Sequence, residues 1–337
     1  MDRTALSSFV RTLARGPGRS RNLTEEEAYE AMTLILKGDA PPEAIGAIMM
    51  LMRFRGENAS EMTGFIRATN AALPSWMKSL NTALDWPSYA AGRTRGLPFF
   101  LLSGLLLAEN NIRIFMHGFN SHHMQRQSST ETALKALGLP TCSNEEDVRS
   151  CLDQHNFAYM PLRDMCPAHF ELINLRDVLG LRSPVNTLLR GLNPTSATAS
   201  IIGVFHPPYV PLQLETANKM NNGSAIIFKG GGGEAERTPL KPVKMAYARD
   251  GEMEELTFPP LVDKAEFDSK PEDPDPEKLQ ALWAGELSDE KAEATIIGTA
   301  AAALFILNRA ANSQEADQMA RTMWQRRRAS RLSGTAA

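Results

Sequence analysis

The fold is decided by one stretch, which begins Leu84-Asp85-Trp86-Pro87-Ser88-Tyr89-Ala90-Ala91-Gly92-Arg93-Thr94-Arg95-Gly96. An uncharged apolar run follows over residues 97–108, and the stretch ends with Ile112-Arg113-Ile114-Phe115-Met116-His117-Gly118. The first and last segments have the apolar and β-branched content of buried strands, and the run between them has the length of a helix. A strand–loop–helix–strand unit of this kind is the usual source of a parallel sheet.

The loop of this unit opens onto a helix N-terminus. Free backbone N–H groups and the helix dipole favour an anion at such an end. Arg93 and Arg95 in the loop strengthen that expectation. The alternative interpretation is a solvated loop with two surface arginines.

Composition restricts the classes of function. The 337 residues have 43% hydrophobic and 22% charged side chains and a formal net charge of -3, so no global basic excess indicates nucleic-acid binding and any anion site must be local. The three cysteines have no metal-type pair spacing, which is typical of a reduced cytoplasm. The longest uncharged apolar run is too short for a bilayer, which needs about 20 residues. We therefore expect a cytoplasmic protein without a membrane partner.

The N-terminal region is predicted to be helical. Thr24 with Glu27 and Asn58 with Glu61 have the spacing of capping boxes, and Pro41-Pro42 open a helix between them. The resulting small bundle is too rich in methionine to bury its apolar faces alone, around Met49, Met52 and Met62. We predict that it packs on its twin, so that the chain forms a homodimer through the N-terminal helices.

After Pro74 the pattern alternates between strands and helices. The predicted strands cover residues 82–85, 112–116, 157–160, 200–205, 224–228 and 243–247. Helices are predicted at 129–137, 144–154, 209–222, 288–311 and 313–332, and the helical stretch 168–191 interrupts the sheet pattern. Residues 270–277 form a proline-acidic loop in this interpretation. The glycine run 230–233 lacks a following Lys-Ser/Thr pair and is interpreted as a mobile turn rather than a P-loop.

Several of these stretches resemble the anthranilate phosphoribosyltransferases of glycosyltransferase family 3. The most specific is Leu175-Arg176-Asp177-Val178-Leu179-Gly180-Leu181-Arg182-Ser183-Pro184-Val185-Asn186-Thr187-Leu188-Leu189-Arg190-Gly191-Leu192-Asn193-Pro194. The resemblance implies an α/β fold of the phosphoribosyltransferase type (nucleoside phosphorylase/anthranilate phosphoribosyltransferase-like), with a small all-α N-terminal domain and a larger α/β domain around a central, mostly parallel sheet. The implied boundaries are residues 1–76 for the helical domain, completed by an insertion at about 166–190, and residues 77–165 with 191–337 for the α/β domain.

The chain departs from this family at the residues that would bind phosphoribosyl pyrophosphate. The family's glycine-rich loop becomes Pro87-Ser88-Tyr89-Ala90-Ala91-Gly92-Arg93-Thr94-Arg95, in which Tyr89 and the alanines should block close backbone approach. The Asp-Glu pair that holds Mg²⁺ in the family falls at Ala235-Glu236, which leaves Glu236 as a weak metal ligand. This pattern of loss resembles a paralogue group of anthranilate phosphoribosyltransferase-like proteins that is associated with nucleic-acid binding across the dimer.

The resemblance also implies roles for individual residues. The predicted anion- or phosphate-binding residues are Ser88, Tyr89, Gly92, Arg93, Arg95, His117 and Arg126. Arg176 matches the arginine that faces the aromatic acceptor, although it could equally form a surface ion pair with Asp177. His117 matches an active-site histidine, although it could also simply cap a buried strand. Cys166 is interpreted as an inert buried thiol because the sequence shows no base beside it.

Two hypotheses follow. In the first, the chain is a dimeric binding protein on a phosphoribosyltransferase scaffold and presents arginines to phosphate-containing polyanions such as nucleic acid. In the second, it is an active phosphoribosyltransferase that transfers to anthranilate or another aromatic acceptor. Only the second hypothesis requires Mg²⁺, and neither implies another cofactor. The differences between the loop at residues 87–95 and the glycine-rich loop of the family favour the first hypothesis.

Overall fold

The computed structural model describes residues 4–16, 18–89, 96–119, 129–263 and 274–328. Its strands are β1 (Leu84–Ser88), β2 (Ile114–Gly118), β3 (Phe157–Pro161), β4 (Ala199–Val204), β5 (Ser224–Lys229), β6 (Val243–Arg249) and β7 (Glu252–Phe258). The helices that precede or connect the first four strands are α1 (Ser7–Ala14), α2 (Glu25–Leu36), α3 (Pro42–Arg55), α4 (Ala59–Ala72), α5 (Phe100–Glu109), α6 (Thr130–Ala136), α7 (Glu145–His155), α8 (Leu162–Met165), α9 (Pro167–Leu179) and α10 (Val185–Leu188). Four more follow: α11 (Tyr209–Met220), α12 (Glu277–Ala284), α13 (Glu290–Ile306) and α14 (Ser313–Arg326).

The strands form one sheet in the order β3-β2-β1-β4-β5-β6-β7. The first five strands in this order are parallel, and β6 and β7 continue the sheet as an antiparallel hairpin. The predicted fold class is confirmed: a small helical N-terminal unit accompanies a larger α/β unit with a mostly parallel sheet.

The two faces of the sheet belong to different cores, as the alternation of side chains along a strand requires. Ile114 and Met116 of β2 pack with α5, α13 and α14, whereas Phe115 between them packs into a core shared with the helical unit. That second core also contains Leu172 of α9 and Val185 of α10, so the chain returns to the helical unit after β3.

The capping boxes predicted for the first helices are present. The Thr24 hydroxyl accepts from the backbone N–H of Glu27, and Asn58 caps α4 through Glu61 in the same way. The predicted surplus of apolar surface is not found where the sequence placed it. Met49, Met52 and Met62 are each at most 1% exposed within the single chain, because α1 and α9 contribute to the core that covers them.

One glycine is needed to bring β1 and β2 together at the edge where both strands end. A Cβ on Gly118 would lie 2.1 Å from the carbonyl oxygen of Ser88, far inside any real contact. Because parallel strands end at the same edge, the segments that follow β1, β2, β4 and β5 all emerge there. Ligands of open α/β sheets bind outside this carboxyl edge.

No helix among the described residues is both long enough and apolar enough to cross a membrane.

Candidate functional site

A cleft of about 320 Å³ lies between the helical unit and the carboxyl edge of the sheet. The helical unit contributes its arginines from α3, α9 and the segment after α9, and the α/β unit contributes the end of β4 and the start of α11. We call this feature the arginine cleft, and its lining consists of Arg53, Arg176, Gly180, Leu181, Arg182, Ser183, Asn186, Thr187, Arg190, Val204, Phe205, His206, Tyr209 and Gln213.

The arginine cleft is strongly positive. Four arginines line it, and none of the described residues in its lining is acidic. Burial lowers the pKa of Arg182 to about 10, and the neighbouring charges of Arg176, Arg190 and Arg53 act in the same direction. Arg182 therefore stays protonated at neutral pH while the four cations repel one another, so an anion in the cleft would relieve that repulsion.

Arg190 is the most buried of the four cations and is held by backbone carbonyls. Its Nε donates to Gly203 O at 2.9 Å and its Nη1 to Asn186 O at 2.8 Å, while Nη2 donates to Tyr89 O and lies 3.5 Å from Gly233 O. One guanidinium thus joins β4, α10, the segment after β1 and the glycine turn. Burial lowers the pKa of Arg190, and the nearby carboxylate of Glu234 opposes that effect.

Two polar contacts, one between the two units and one within the helical unit, close one wall of the cleft. Arg53 Nη1 donates to the Tyr209 hydroxyl at 2.6 Å, which joins α3 to the first residue of α11. Thr187 donates to Glu57 at 2.9 Å. Burial raises the pKa of Tyr209, so its hydroxyl remains protonated and polar at neutral pH.

Three of the predicted phosphate-binding residues are buried side chains in the described part of the chain. The Ser88 hydroxyl lies 2.9 Å from the Thr130 hydroxyl and so joins β1 to α6. The Tyr89 hydroxyl lies 2.7 Å from His117 Nδ1, and burial raises the pKa of Tyr89 well above its usual value. None of these side chains lines the arginine cleft.

His117 also faces a buried carboxylate. Its Nε2 lies 3.2 Å from Asp85 Oδ1, an ion-pair distance that lacks hydrogen-bond geometry. Both side chains are fully buried between the sheet and the helical unit. Asp85, His117 and Tyr89 thus form one chain of polar groups inside the protein.

Glu236 caps a helix. Its Oε2 accepts from the backbone N–H of Phe100 at 3.0 Å, which is the first residue of α5. The carboxylate of Glu236 therefore occupies the N-terminus of α5, where the sequence predicts that an external anion binds. The preceding residue, Ala235, has no ligand atom in its side chain, so this position does not fit a Mg²⁺ site built on two carboxylates. Over the described ranges, no three His, Cys, Asp or Glu side chains cluster in a way that could hold a metal ion.

Comparison with known proteins agrees with this architecture. A family model described as the helical bundle domain of a glycosyl transferase family matches residues 7–72, and the model of the α/β domain matches residues 100–329. The chain belongs to glycosyltransferase family 3. Within this family it is an anthranilate phosphoribosyltransferase-like protein, as its relatives show.

Among those relatives, the anthranilate phosphoribosyltransferase of Halalkalibacterium halodurans is 27% identical over 222 residues, which cover 65% of this chain and 64% of that enzyme. The enzyme of Nitratidesulfovibrio vulgaris is 28% identical over 270 residues, which cover 78% of this chain and 77% of the relative.

Solved structures are similar in fold. Anthranilate phosphoribosyltransferase from Thermus thermophilus superposes with a TM-score of 0.77 at 21% identity and covers 98% of this chain and 96% of its own. The Saccharomyces cerevisiae enzyme in complex with PRPP and Mg gives a TM-score of 0.71 at 15% identity. The superposition covers 95% of this chain and 93% of the yeast chain. At these identities the likeness establishes the fold alone.

For this glycosyltransferase family 3 chain, the predicted site residues therefore separate into three groups. Arg176 lines the arginine cleft, and Ser88, Tyr89, His117 and Glu236 lie elsewhere in the interior. The remaining predicted residues, Gly92, Arg93, Arg95 and Arg126, lie outside the described residues.

Sequence reasoning missed most of the cleft. Arg182 and Arg190 are present in the stretch 175–194 that resembles the family, but only Arg176 was assigned a role there. The sequence feature that could have indicated the cleft is the presence of Arg176, Arg182 and Arg190 within one short segment.

The expectation that Cys166 has no base beside it is wrong. Its Sγ lies 3.1 Å from His169 Nδ1, three residues later on α9, and His169 Nε2 lies 3.2 Å from the Thr69 hydroxyl. Burial nevertheless raises the pKa of Cys166 and lowers that of His169 to about 4. Both groups are therefore neutral at pH 7, and the thiol is not activated.

Proposed function

We propose that this chain is a non-catalytic member of its family that binds phosphate-containing polyanions, specifically nucleic acid, in the arginine cleft. The observation that carries the proposal is the gathering of four arginines around one cleft whose described lining has no acidic side chain. Arginine grips phosphate oxygens through two parallel N–H donors, so such a cluster suits a phosphodiester chain.

The residues at the phosphoribosyl pyrophosphate side support a loss of catalysis. Tyr89 stands where the family has a glycine of its phosphate-binding loop, and its ring is directed into the core. Ala235 replaces one carboxylate of the metal pair, and Glu236 is used by the N-terminus of α5. Without charge neutralisation at this side, the departure of pyrophosphate would be unassisted.

The overall charge of the chain supports binding of a polyanion at the arginine cleft rather than over the whole surface. A chain with a net charge of -3 has no overall electrostatic attraction for a polyanion. Binding in the arginine cleft should therefore depend strongly on salt and weakly on base sequence, because phosphates rather than base edges would be contacted.

The alternative is an active phosphoribosyltransferase. The similarity to anthranilate phosphoribosyltransferases favours it, and Arg176 in a cleft with the aromatic rings of Phe205 and Tyr209 would suit an aromatic carboxylate. Incubation with anthranilate, phosphoribosyl pyrophosphate and Mg²⁺ tests this alternative. Turnover at about 1 per second, the low end of common enzyme rates, would establish it and overturn the proposal of a non-catalytic protein.

Binding is tested by fluorescence anisotropy with a labelled single-stranded oligonucleotide at about 50 mM salt. We expect the double variant Arg176→Ala/Arg182→Ala to bind about tenfold more weakly than the unmodified protein, since two charged hydrogen-bond donors are lost. The matched control is Arg11→Ala/Arg15→Ala, which removes two arginines at α1, away from the cleft. Equal affinities for the cleft variant and the control, or no binding by the unmodified protein, would contradict the proposal.

A further inference from the structure

Phe205 is an exposed aromatic side chain inside the arginine cleft. It is 40% exposed, whereas the phenol ring of Tyr209, also in the lining, has its hydroxyl bonded to Arg53. Phe205 follows directly after the last residue of β4 and so lies at the carboxyl edge of the sheet. Phe205 and the arginines line the same cleft, so a ligand that enters it can contact both the aromatic ring and the cations.

The backbone under Phe205 is fixed. A Cβ on Gly233 would lie 3.1 Å from Phe205 Cβ and 3.4 Å from its backbone nitrogen, so the glycine turn is in close contact with this residue. Gly233 has a φ of +89°, a conformation that suits glycine. The Phe205 ring meets the His206 ring edge to face at a centroid distance of 4.7 Å. The backbone of Phe205 thus packs on the glycine turn, and its ring contacts the ring of His206.

We propose that Phe205 stacks on an unpaired base and makes the arginine cleft selective for single-stranded nucleic acid. This inference rests on the proposed function, because the arginines would hold the phosphates while Phe205 contacts a base. Every base has an aromatic face, so stacking favours unpaired strands without reading their sequence. In a duplex the bases are already stacked on one another, and that face is not available.

The size of the cleft is consistent with this arrangement. Its volume of about 320 Å³ is at the lower end of small-ligand sites, which range from about 300 to 1,000 Å³. It can therefore receive one projecting base, with the phosphates on either side of that base at the cleft arginines, rather than the body of a double helix.

The experiment compares three labelled nucleic acids of equal length by fluorescence anisotropy: a single strand, a matching duplex, and an abasic single strand that keeps the phosphates but lacks bases. For the unmodified protein we expect the normal strand to bind about tenfold more tightly than the abasic strand, as one stacked base predicts. Phe205→Ala should remove this difference and leave the affinity for the abasic strand unchanged. Phe205→Trp should retain it.

Met253→Ala is the matched control, since Met253 is 48% exposed on β7 and does not line the cleft. Thermal unfolding of each variant checks that the fold is intact. If the normal and abasic strands bind equally, or if Phe205→Ala weakens both to the same extent, the inference is overturned while polyanion binding stands. If no nucleic acid binds at all, the proposed function and this inference both fail.

Discussion

At the scale of single residues, Arg190 shows how a buried cation can organise a site through hydrogen bonds to backbone carbonyls. Its guanidinium spans carbonyls from four separate segments, and three of these segments follow or end strands of the sheet. Arginine suits this task because its donors point in several fixed directions at once, whereas lysine has a single compact charge.

We predict that Arg190→Met lowers the free energy of unfolding by about 2 to 4 kcal/mol, because several buried carbonyls would lose their donor. Arg190→Lys should recover only part of this loss. Urea denaturation measures both variants, with Arg176→Ala, a partly exposed cleft arginine, as the control. A loss for Arg190→Met no larger than that for the control would show that the contacts of Arg190 are energetically unimportant.

His169 gives the chain a predictable response to acid. Its pKa falls from 6.5 in the unfolded chain to about 4 in the folded one, because burial penalises the imidazolium. Above pH 6.5 the residue is neutral in both states. As the pH falls below 6.5 the unfolded state takes up the proton first, so the folded state loses stability down to about pH 4.

Between about pH 7.5 and about pH 5, this residue should remove about 2 kcal/mol from the free energy of unfolding. His169→Asn should flatten that part of the pH dependence. Urea denaturation at both pH values provides the measurement. A pH dependence that is identical in the unmodified protein and in His169→Asn contradicts this assignment.

At the scale of elements, the contact between Glu236 and α5 replaces an expected ligand site by an internal cap. A carboxylate at a helix N-terminus satisfies a free N–H group and interacts favourably with the helix dipole. Glu236→Ala should therefore lower the free energy of unfolding by about 1 kcal/mol, and Glu236→Gln by less. Thermal unfolding with and without Mg²⁺ separates this role from metal binding. If Mg²⁺ raised the melting temperature of the unmodified protein but not of Glu236→Ala, Glu236 would be a metal ligand.

Elements with a strong local pattern were predictable. The six predicted strands are present with ends shifted by at most three residues, because apolar and β-branched runs mark a buried strand wherever it lies in the sheet. Strand β7 was missed, since Glu252, Glu254 and Glu255 give it the composition of a solvated surface. The strand forms because it pairs with β6 at the edge of the sheet, a contact that its own composition does not indicate.

The arginine cleft could be predicted only in part for a related reason. Arg53 and Arg182 are far apart in the sequence and meet because α3 and the segment after α9 lie on the same side of the sheet edge. The resemblance to a family identified Arg176, but the buried position of Arg190 depends on four segments that converge in three dimensions. Residue spacing along one chain carries little information about such a site.

At the scale of the whole molecule, the homodimer stays a prediction, and its supposed basis has changed. The methionines that suggested an uncovered face are buried within the chain. The helical unit instead exposes Phe54 on α3 to 90% and Val178 on α9 to 81%, which are large apolar side chains in contact with solvent. An interface between two copies would cover such residues.

Multi-angle light scattering at micromolar concentration should give twice the mass of one chain. The double variant Phe54→Ser/Val178→Ser should shift the protein toward a monomer, and Met253→Ser on β7 should not. A monomeric unmodified protein would exclude the homodimer.

We propose that the arginine cleft holds the phosphates of a nucleic-acid strand. The most direct test of this claim is the slope of log affinity against log salt concentration for a single-stranded oligonucleotide, measured for the unmodified protein and for Arg176→Ala/Arg182→Ala. Each phosphate contact on a single strand contributes a slope of about -0.7, so the loss of two contacts should flatten the slope by about 1.4. If both proteins give the same slope, the phosphates are bound elsewhere and the claim is wrong.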